Sequence, residues 1–450
     1  MKTSFTVLGR TLLLLACATL PAGCLHEKLV WSPDGNRAAV ITTEGLHICT
    51  AEGTLSRLLL PRVYRAAWLA DSQRLVIAQT RPVHGFQDLA RALGPARTRE
   101  LTLKAESIWQ RWEASPGGNS SPPPIKPDSD GGGIVLYLRE HHRDRLKEKS
   151  AAHWKGVETL SAEWHTLTVV RLTADGLQTE ATLYEGLSKV NEARPAPDGR
   201  SVAFVRRSEL SPDSDDGFEL FLSPVSGDAP ARLIASQISG FPDWAADGLT
   251  LFCLKGASRT PSGSELRLGT LAAYKVLDPD GKIATDAKAN DLAGLIFHDG
   301  SRIRGLRDGR VLFNAVEFNL PMATDETDLQ EEFFVVDPAL PNVMRLVPRD
   351  ALTGLPKSLA HFEPSPDGSQ ILVSDDSGKV WLVTLADRKV ALLCEGFGKE
   401  DSIAPAWRLA GEFTYRKPSA PRHDLIQREG TSESVLSRTW PAEVLARLVK

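Results

Sequence analysis

An all-β fold, a β-propeller of about seven blades with six to eight allowed, is what this sequence predicts, and three observations predict it. A five-residue turn recurs along the chain, a short apolar β-rich run follows each copy, and further strand-like segments fill the interval before the next copy.

The clearest turns are Trp31-Ser32-Pro33-Asp34-Gly35 and Pro364-Ser365-Pro366-Asp367-Gly368, with Pro195-Ala196-Pro197-Asp198-Gly199 and Trp244-Ala245-Ala246-Asp247-Gly248 close to them. Weaker copies are Trp68-Leu69-Ala70-Asp71-Ser72, Gly305-Leu306-Arg307-Asp308-Gly309 and Trp407-Arg408-Leu409-Ala410-Gly411. Asp-Gly suits a tight hairpin, because Gly takes positive φ freely and the Asp carboxylate bonds nearby backbone N–H groups. The conserved geometry of the turn assigns Asp34, Gly35, Asp198, Gly199, Asp247, Gly248, Asp308, Gly309, Asp367 and Gly368 to structure and not to a catalytic ring. The Trp or Pro that opens each copy is placed to pack on the next blade.

The runs that follow, such as Ala38-Ala39-Val40-Ile41, Val202-Ala203-Phe204-Val205 and Ile371-Leu372-Val373, read as short buried strands. A third and fourth strand are traceable in Val380-Trp381-Leu382-Val383 and Lys389-Val390-Ala391-Leu392-Leu393. Four strands per repeat is the signature of a propeller blade. The pattern resembles the WD40-like PD40 repeats of the TolB family, over nearly all of residues 25–450. That resemblance implies a propeller, and it implies little about activity, because one scaffold hosts many functions.

One interval is out of scale. Asp71 and Asp198 are 127 residues apart, against 37 to 61 between other neighbouring copies. Residues 84–161 are expected to be a helical insertion in the second blade, with helices over Phe86–Leu93, Arg99–Trp112 and about Val135–Ala152, and a flexible Pro/Gly/Ser-rich loop from Ser115 to Gly133. Such an excursion is cheap when a hairpin pins its ends, and it is a candidate partner-binding or lid element.

The N-terminus reads as an export signal: Lys2 and Arg10 precede an apolar run from Thr11 to Leu20. Ala22-Gly23-Cys24 resembles the lipobox of bacterial lipoproteins, which implies removal of residues 1–23 and acylation of Cys24. The usual Leu is Pro21 here. Ordinary cleavage after Ala16-Cys17-Ala18 is the alternative, and either route takes the chain out of the cytoplasm. The remaining cysteines, Cys49, Cys253 and Cys394, are odd in number and lie in strand-like surroundings, so buried free thiols are expected in place of a disulfide framework.

The chemistry is sparse. A formal net charge of -4 gives no basic face for nucleic acid. Adjacent His141 and His142 point about 100° apart on a helix, poor for sharing one metal ion, and read as part of a solvated charged face. Asp213 to Gly217 and Asp325 to Asp328 lack the spacing of a calcium loop. Nucleophile-elbow, zinc-protease, Cys-x-x-Cys and phosphate-loop motifs are all missing. No cofactor, metal or catalytic residue is therefore assigned. The expectation is a monomeric, non-enzymatic scaffold on the periplasmic side of a bacterial membrane, binding an envelope protein or peptide. The alternative is a glycan- or peptide-processing hydrolase or lyase working at the central channel, recognisable by a cluster of His, Arg, Tyr and carboxylates at one mouth.

Overall fold

Apolar residues recur along segments of two to thirteen residues that form strands, and the inner strands bury apolar side chains between neighbouring sheets. The computed structural model describes residues 27–114, 130–149, 162–207, 218–259, 266–284, 287–298, 301–316, 331–346, 355, 359–375, 377–396, 403–418 and 423–448.

The strands pair into antiparallel meanders, and each turn copy joins the first two strands of one of them. The first meander runs Leu29–Trp31, Arg37–Ile41, Gly45–Thr50, Leu60–Pro61, and the second Val63–Trp68, Arg74–Val83, Ala162–Thr173, Gly176–Gly186. The third, fourth and fifth share one continuous eleven-stranded sheet from Val190–Pro195 to Leu340–Arg345. The third and fourth are continuous because Arg232–Trp244 serves twice: Arg232 to Ile238 pairs with Phe218–Pro224, and Asp243 and Trp244 pair with Phe252 and Leu251; the pair Ile296↔Val316 joins the fourth to the fifth. His361–Pro364 opens the sixth meander and Ala406–Leu409 the seventh, each with its own four-stranded sheet. The innermost strands run side by side in one direction, as the parallel bridge Phe241↔Arg302 shows. That is the geometry of a β-propeller.

The turns are built alike. The N–H of Gly35, Gly199, Gly248 and Gly368 donates to the carbonyl three residues earlier at 2.8 to 3.0 Å, with φ between 67° and 73° at these glycines. That left-handed conformation costs a residue with a Cβ about 1 to 2 kcal/mol, which is why Gly recurs there.

The tryptophans reach backwards, to the blade before, and not onward. Trp68 donates its indole N–H to the Val30 carbonyl at 2.9 Å, Trp244 to Arg194 at 2.9 Å, and Trp407 to Glu363 at 2.8 Å. Trp31 closes the ring: its indole N–H donates to Thr414 Oγ1 at 3.1 Å, and the Arg408 guanidinium lies 5.5 Å over its ring. A C-terminal helix seals the same seam, with Val444, Leu445 and Leu448 packed against Leu29, Trp31 and Val40.

Between the second and third strands of the second meander the ladder continues out to the pair Val83↔Ala162 before the chain becomes helical. Helix α1 (Phe86–Ala114) bends at Gly94, φ 73°, ahead of Pro95; α2 spans Asp130–His141 and α3 Arg143–Lys149. These helices have their own core, in which Leu89, Leu101 and Trp109 meet Ile134, Leu136 and Leu138, joined by Trp164 and Leu187 from the strands below. Two details differ from the sequence reading. Asp130 to Gly133, read as loop, forms the start of α2, because a Cβ at Gly133 would lie 2.9 to 3.0 Å from Leu101, Leu187 and Leu89 and only glycine lets the helices close. His142, read as solvated, turns inward: its ring stacks on Trp109 at 4.4 Å and its Nε2 lies 2.9 Å from Glu106 Oε1.

Cys49, Cys253 and Cys394 are buried free thiols, and burial pushes Cys49 and Cys253 up to about 12, out of the reactive range.

Candidate functional site

Cys24 and the acidic stretches 213–217 and 325–328 lie outside the described residues. The turn aspartates sit at one face of the ring with their carboxylates engaged inside the turns. Asp34 accepts from Asn36 N–H at 3.1 Å, Asp198 from Arg200 N–H at 2.9 Å, and Asp308 from Arg310 N–H at 3.1 Å. Asp247 accepts from Leu249 and Thr250 N–H, and Asp367 from Ser369 N–H and two hydroxyls. These are Asx turns, and they bring no two aspartates together.

A second set of residues is brought together, on the innermost strands. Successive side chains of a strand point to opposite faces. In each innermost strand the residue two before the turn's first position (Leu29, Ala66, Ala193, Pro242, Ile303, Phe362, Pro405) is buried between blades. The residues one and three before it line the channel. One before, the ring reads Val30, Ala67, Arg194, Asp243, Arg304, Glu363, Ala406; three before, it reads Lys28, Arg65, Glu192, Phe241, Arg302, His361, Ala404. The lower ring is thus split: four consecutive meanders contribute charge and three contribute small apolar groups.

Glu27, just ahead of the first innermost strand, reaches across the channel into the charged half. Its Oε1 accepts from Arg302 Nη1 at 3.0 Å and Arg194 Nη2 at 3.2 Å, with Arg304 Nη2 at 3.6 Å. Arg304 donates in turn through Nε to Glu363 at 2.6 Å and through Nη1 to the Ile303 carbonyl at 3.0 Å. Arg65 forks onto both oxygens of Glu192 at 3.1 Å. The Asp243 carboxylate accepts from Gly305 N–H at 3.0 Å. Gly305 stands where most copies have Trp, and a Cβ there would lie 1.9 Å from the Trp244 carbonyl.

The cluster is enclosed yet open to the channel: the Arg302 and Arg304 side chains are 4 % and 2 % exposed, while Glu27 keeps 21 % and Glu363 30 %. Burial pushes the Glu27 carboxyl up, but Arg194, Arg302 and Arg304 outweigh it and hold it well below the usual range. Burial raises Glu363 despite Arg304 and Arg194. Burial and then Arg302 hold His361 well below its ordinary pKa, so it is neutral, and neither ring nitrogen has a hydrogen-bond partner among the described residues. Lys28 is lowered by burial and by Arg65 and Lys189. Chemically this is a preformed cradle for an anion, with a neutral imidazole beside it.

The sequence reading placed function in the insertion and Cys24, and assigned no channel residue. The channel cluster was missed because its members are far apart in the chain: Glu27 and Arg302 are 275 residues apart. The signal was nonetheless present, in a polar residue one or three before six of the seven turns.

No family model and no curated protein matches the chain. Among solved structures, an oligogalacturonate lyase in complex with manganese is similar at a TM-score of 0.50 and 8 % identity, over 94 % of this chain and 91 % of its own. The oligogalacturonate lyase of Vibrio parahaemolyticus gives 0.49 and 9 %, over 90 % of each chain. A putative TolB from Agrobacterium tumefaciens gives 0.32 and 17 %, over 51 % of this chain and 76 % of that one. At 8 % identity the likeness to the manganese complex bears on fold alone, and it agrees with the strand topology: the chain is a β-propeller.

Proposed function

We propose that the chain is an extracytoplasmic binding propeller, anchored through acylated Cys24, whose channel recognises an acidic peptide segment of another envelope protein. The observation that carries this reading is the split ring: Arg194, Arg302 and Arg304 offer guanidinium groups to carboxylates, while Val30, Ala67 and Ala406 offer an apolar wall for the rest of a peptide. Arginine is suited to the task, being always charged and forked to match a carboxylate. We read the seven meanders as seven blades around that site.

Calorimetric titration with hexaglutamate and its neutral counterpart hexaglutamine tests the reading. Hexaglutamate is expected to bind and hexaglutamine not, with the affinity lowered at least tenfold in Arg194→Gln. Equal response to the two peptides, in the wild-type chain and in Glu27→Ala alike, would overturn it.

One observation favours a second reading, hydrolysis or elimination on a glycan or peptide: His361 sits in a charged enclosure with neither ring nitrogen hydrogen-bonded among the described residues, as a group awaiting a substrate proton would. Incubation with oligogalacturonate and with peptide mixtures, followed by mass spectrometry, separates the two. A product that disappears in His361→Asn selects the enzyme, and intact substrates select the binding module.

A further inference from the structure

The three arginines of the cradle lie on or directly beside hydrogen-bonded strands, whereas the anion they hold does not. Arg194 lies on Val190–Pro195, and Arg302 immediately precedes Ile303–Gly305, which carries Arg304. The positions of Arg302 and Arg304 are fixed independently of Glu27: Arg302 N–H donates to Asn314 Oδ1 at 2.7 Å, the Arg302 guanidinium lies 5.0 Å over the Phe241 ring, and Arg304 is held by Glu363 and the Ile303 carbonyl. Glu27 precedes the first strand altogether. It stands beside Lys28, whose carbonyl accepts from Ile41 N–H at 2.8 Å, and a single oxygen, Oε1, meets all three guanidinium groups. It also keeps contact with solvent where two of the arginines have almost none.

We propose that this cradle is a carboxylate-binding site and that Glu27 occupies it as a tethered stand-in, displaced when a ligand carboxylate takes its place. The proposal rests on the reading of the channel as an acidic-peptide site and adds how that site is regulated. A tethered group competes at the effective concentration its tether sets, so apparent affinity for an outside carboxylate falls by the fraction of time the site is free. The Glu27 side chain is thereby a threshold, excluding isolated weak carboxylates and yielding to a ligand that also engages the apolar wall or Lys28 and Arg65.

The test uses the full chain as wild type, Glu27→Ala and Glu27→Gln, with two probes. Acetate against chloride at matched ionic strength, read by thermal melting, asks whether a free carboxylate refills the cradle. Saturable stabilisation of Glu27→Ala by acetate, with none in wild type, is the expected result. Hexaglutamate titration asks about displacement, and at least tenfold tighter binding to Glu27→Ala than to wild type is expected. Glu27→Gln, which keeps an amide in the cradle, carries both comparisons if the alanine variant does not fold. Variants that bind hexaglutamate no tighter than wild type and gain nothing from acetate overturn the stand-in while leaving the peptide reading intact. Acetate rescue without hexaglutamate binding upholds the carboxylate site and overturns the peptide reading.

Discussion

The indole N–H of Trp244 donates to the carbonyl oxygen of Arg194 at 2.9 Å, so a core residue of one blade holds the backbone that aims a channel residue in the blade before it. Structure and site are therefore coupled through the Trp of the turn. Replacing Trp244 by Phe keeps most of the buried ring but strands the Arg194 carbonyl, a loss of about 1 to 3 kcal/mol. Urea unfolding is expected to show that loss, and the same variant is expected to bind hexaglutamate more weakly than wild type.

Gly305 and Gly309 belong to one turn and separate two reasons for glycine. Gly305 has no room, with the Trp244 carbonyl 1.9 Å from any Cβ, whereas Gly309 has φ 87° and nothing within 4 Å. Gly309→Ala is expected to cost about 1 kcal/mol from backbone strain. Gly305→Ala must push two blades apart and is expected to cost more, about 3 kcal/mol or loss of folding. Melting temperatures of the two variants, compared side by side, check the order.

Acid sensitivity follows from His165. It is buried on the third strand of the second meander, edge-on to Tyr64 at 5.8 Å, and burial, then Lys189, bring it down to about 4. The folded form binds a proton less readily than the unfolded chain. Its contribution is thus complete above the ordinary histidine value near pH 6.5 and is lost as pH falls toward 4. The loss is about 1.4 kcal/mol per pH unit in that window. His165→Gln is expected to unfold with a shallower pH dependence between 6.5 and 4 than wild type, measured by urea titration at several pH values. His361 is shifted in the same direction and leaves part of the slope in place.

The insertion is closed at its base by the pair Val83↔Ala162, so replacing residues 84–161 with Asn-Gly is expected to leave a folded propeller. Trp164 and Leu187 would lose their helical cover, which costs about 2 to 5 kcal/mol. Circular dichroism should keep its strand signal, and crosslinking from intact cells should recover less of any partner that the helices contact. Unchanged recovery would confine binding to the channel.

Cys24→Ser is expected to abolish incorporation of labelled fatty acid and to move the chain from the membrane pellet to the soluble extract. Retention of label or of membrane attachment would count against the anchor.

How much was legible in the sequence divides along the direction in which side chains point. Trp31, Asp34 and Gly35 announce a blade because they sit together and act within five residues. The channel residues announce themselves only once the strands are laid side by side. Arg304 and Glu363 are ordinary charged residues in the chain, and it is the shared offset from Gly305 and Pro364 that puts them in one ring. The helical stretch misled for a different reason. Three successive glycines read as slack chain, yet Gly133 is small because α1, α2 and Leu187 meet there.

The place of Glu27 in the chain has one more consequence, set by bond lengths alone. Two residues, Leu25 and His26, separate Glu27 from Cys24, and an extended chain covers no more than about 11 Å over that span. Were Cys24 acylated as proposed, the channel mouth that holds the arginine cradle would stand roughly one nanometre from the bilayer, on the face from which α1 departs. The seven turns then look out into the aqueous compartment. A ligand entering from the cradle side would then be drawn from molecules held close to the membrane, and the encounter would become a search in two dimensions.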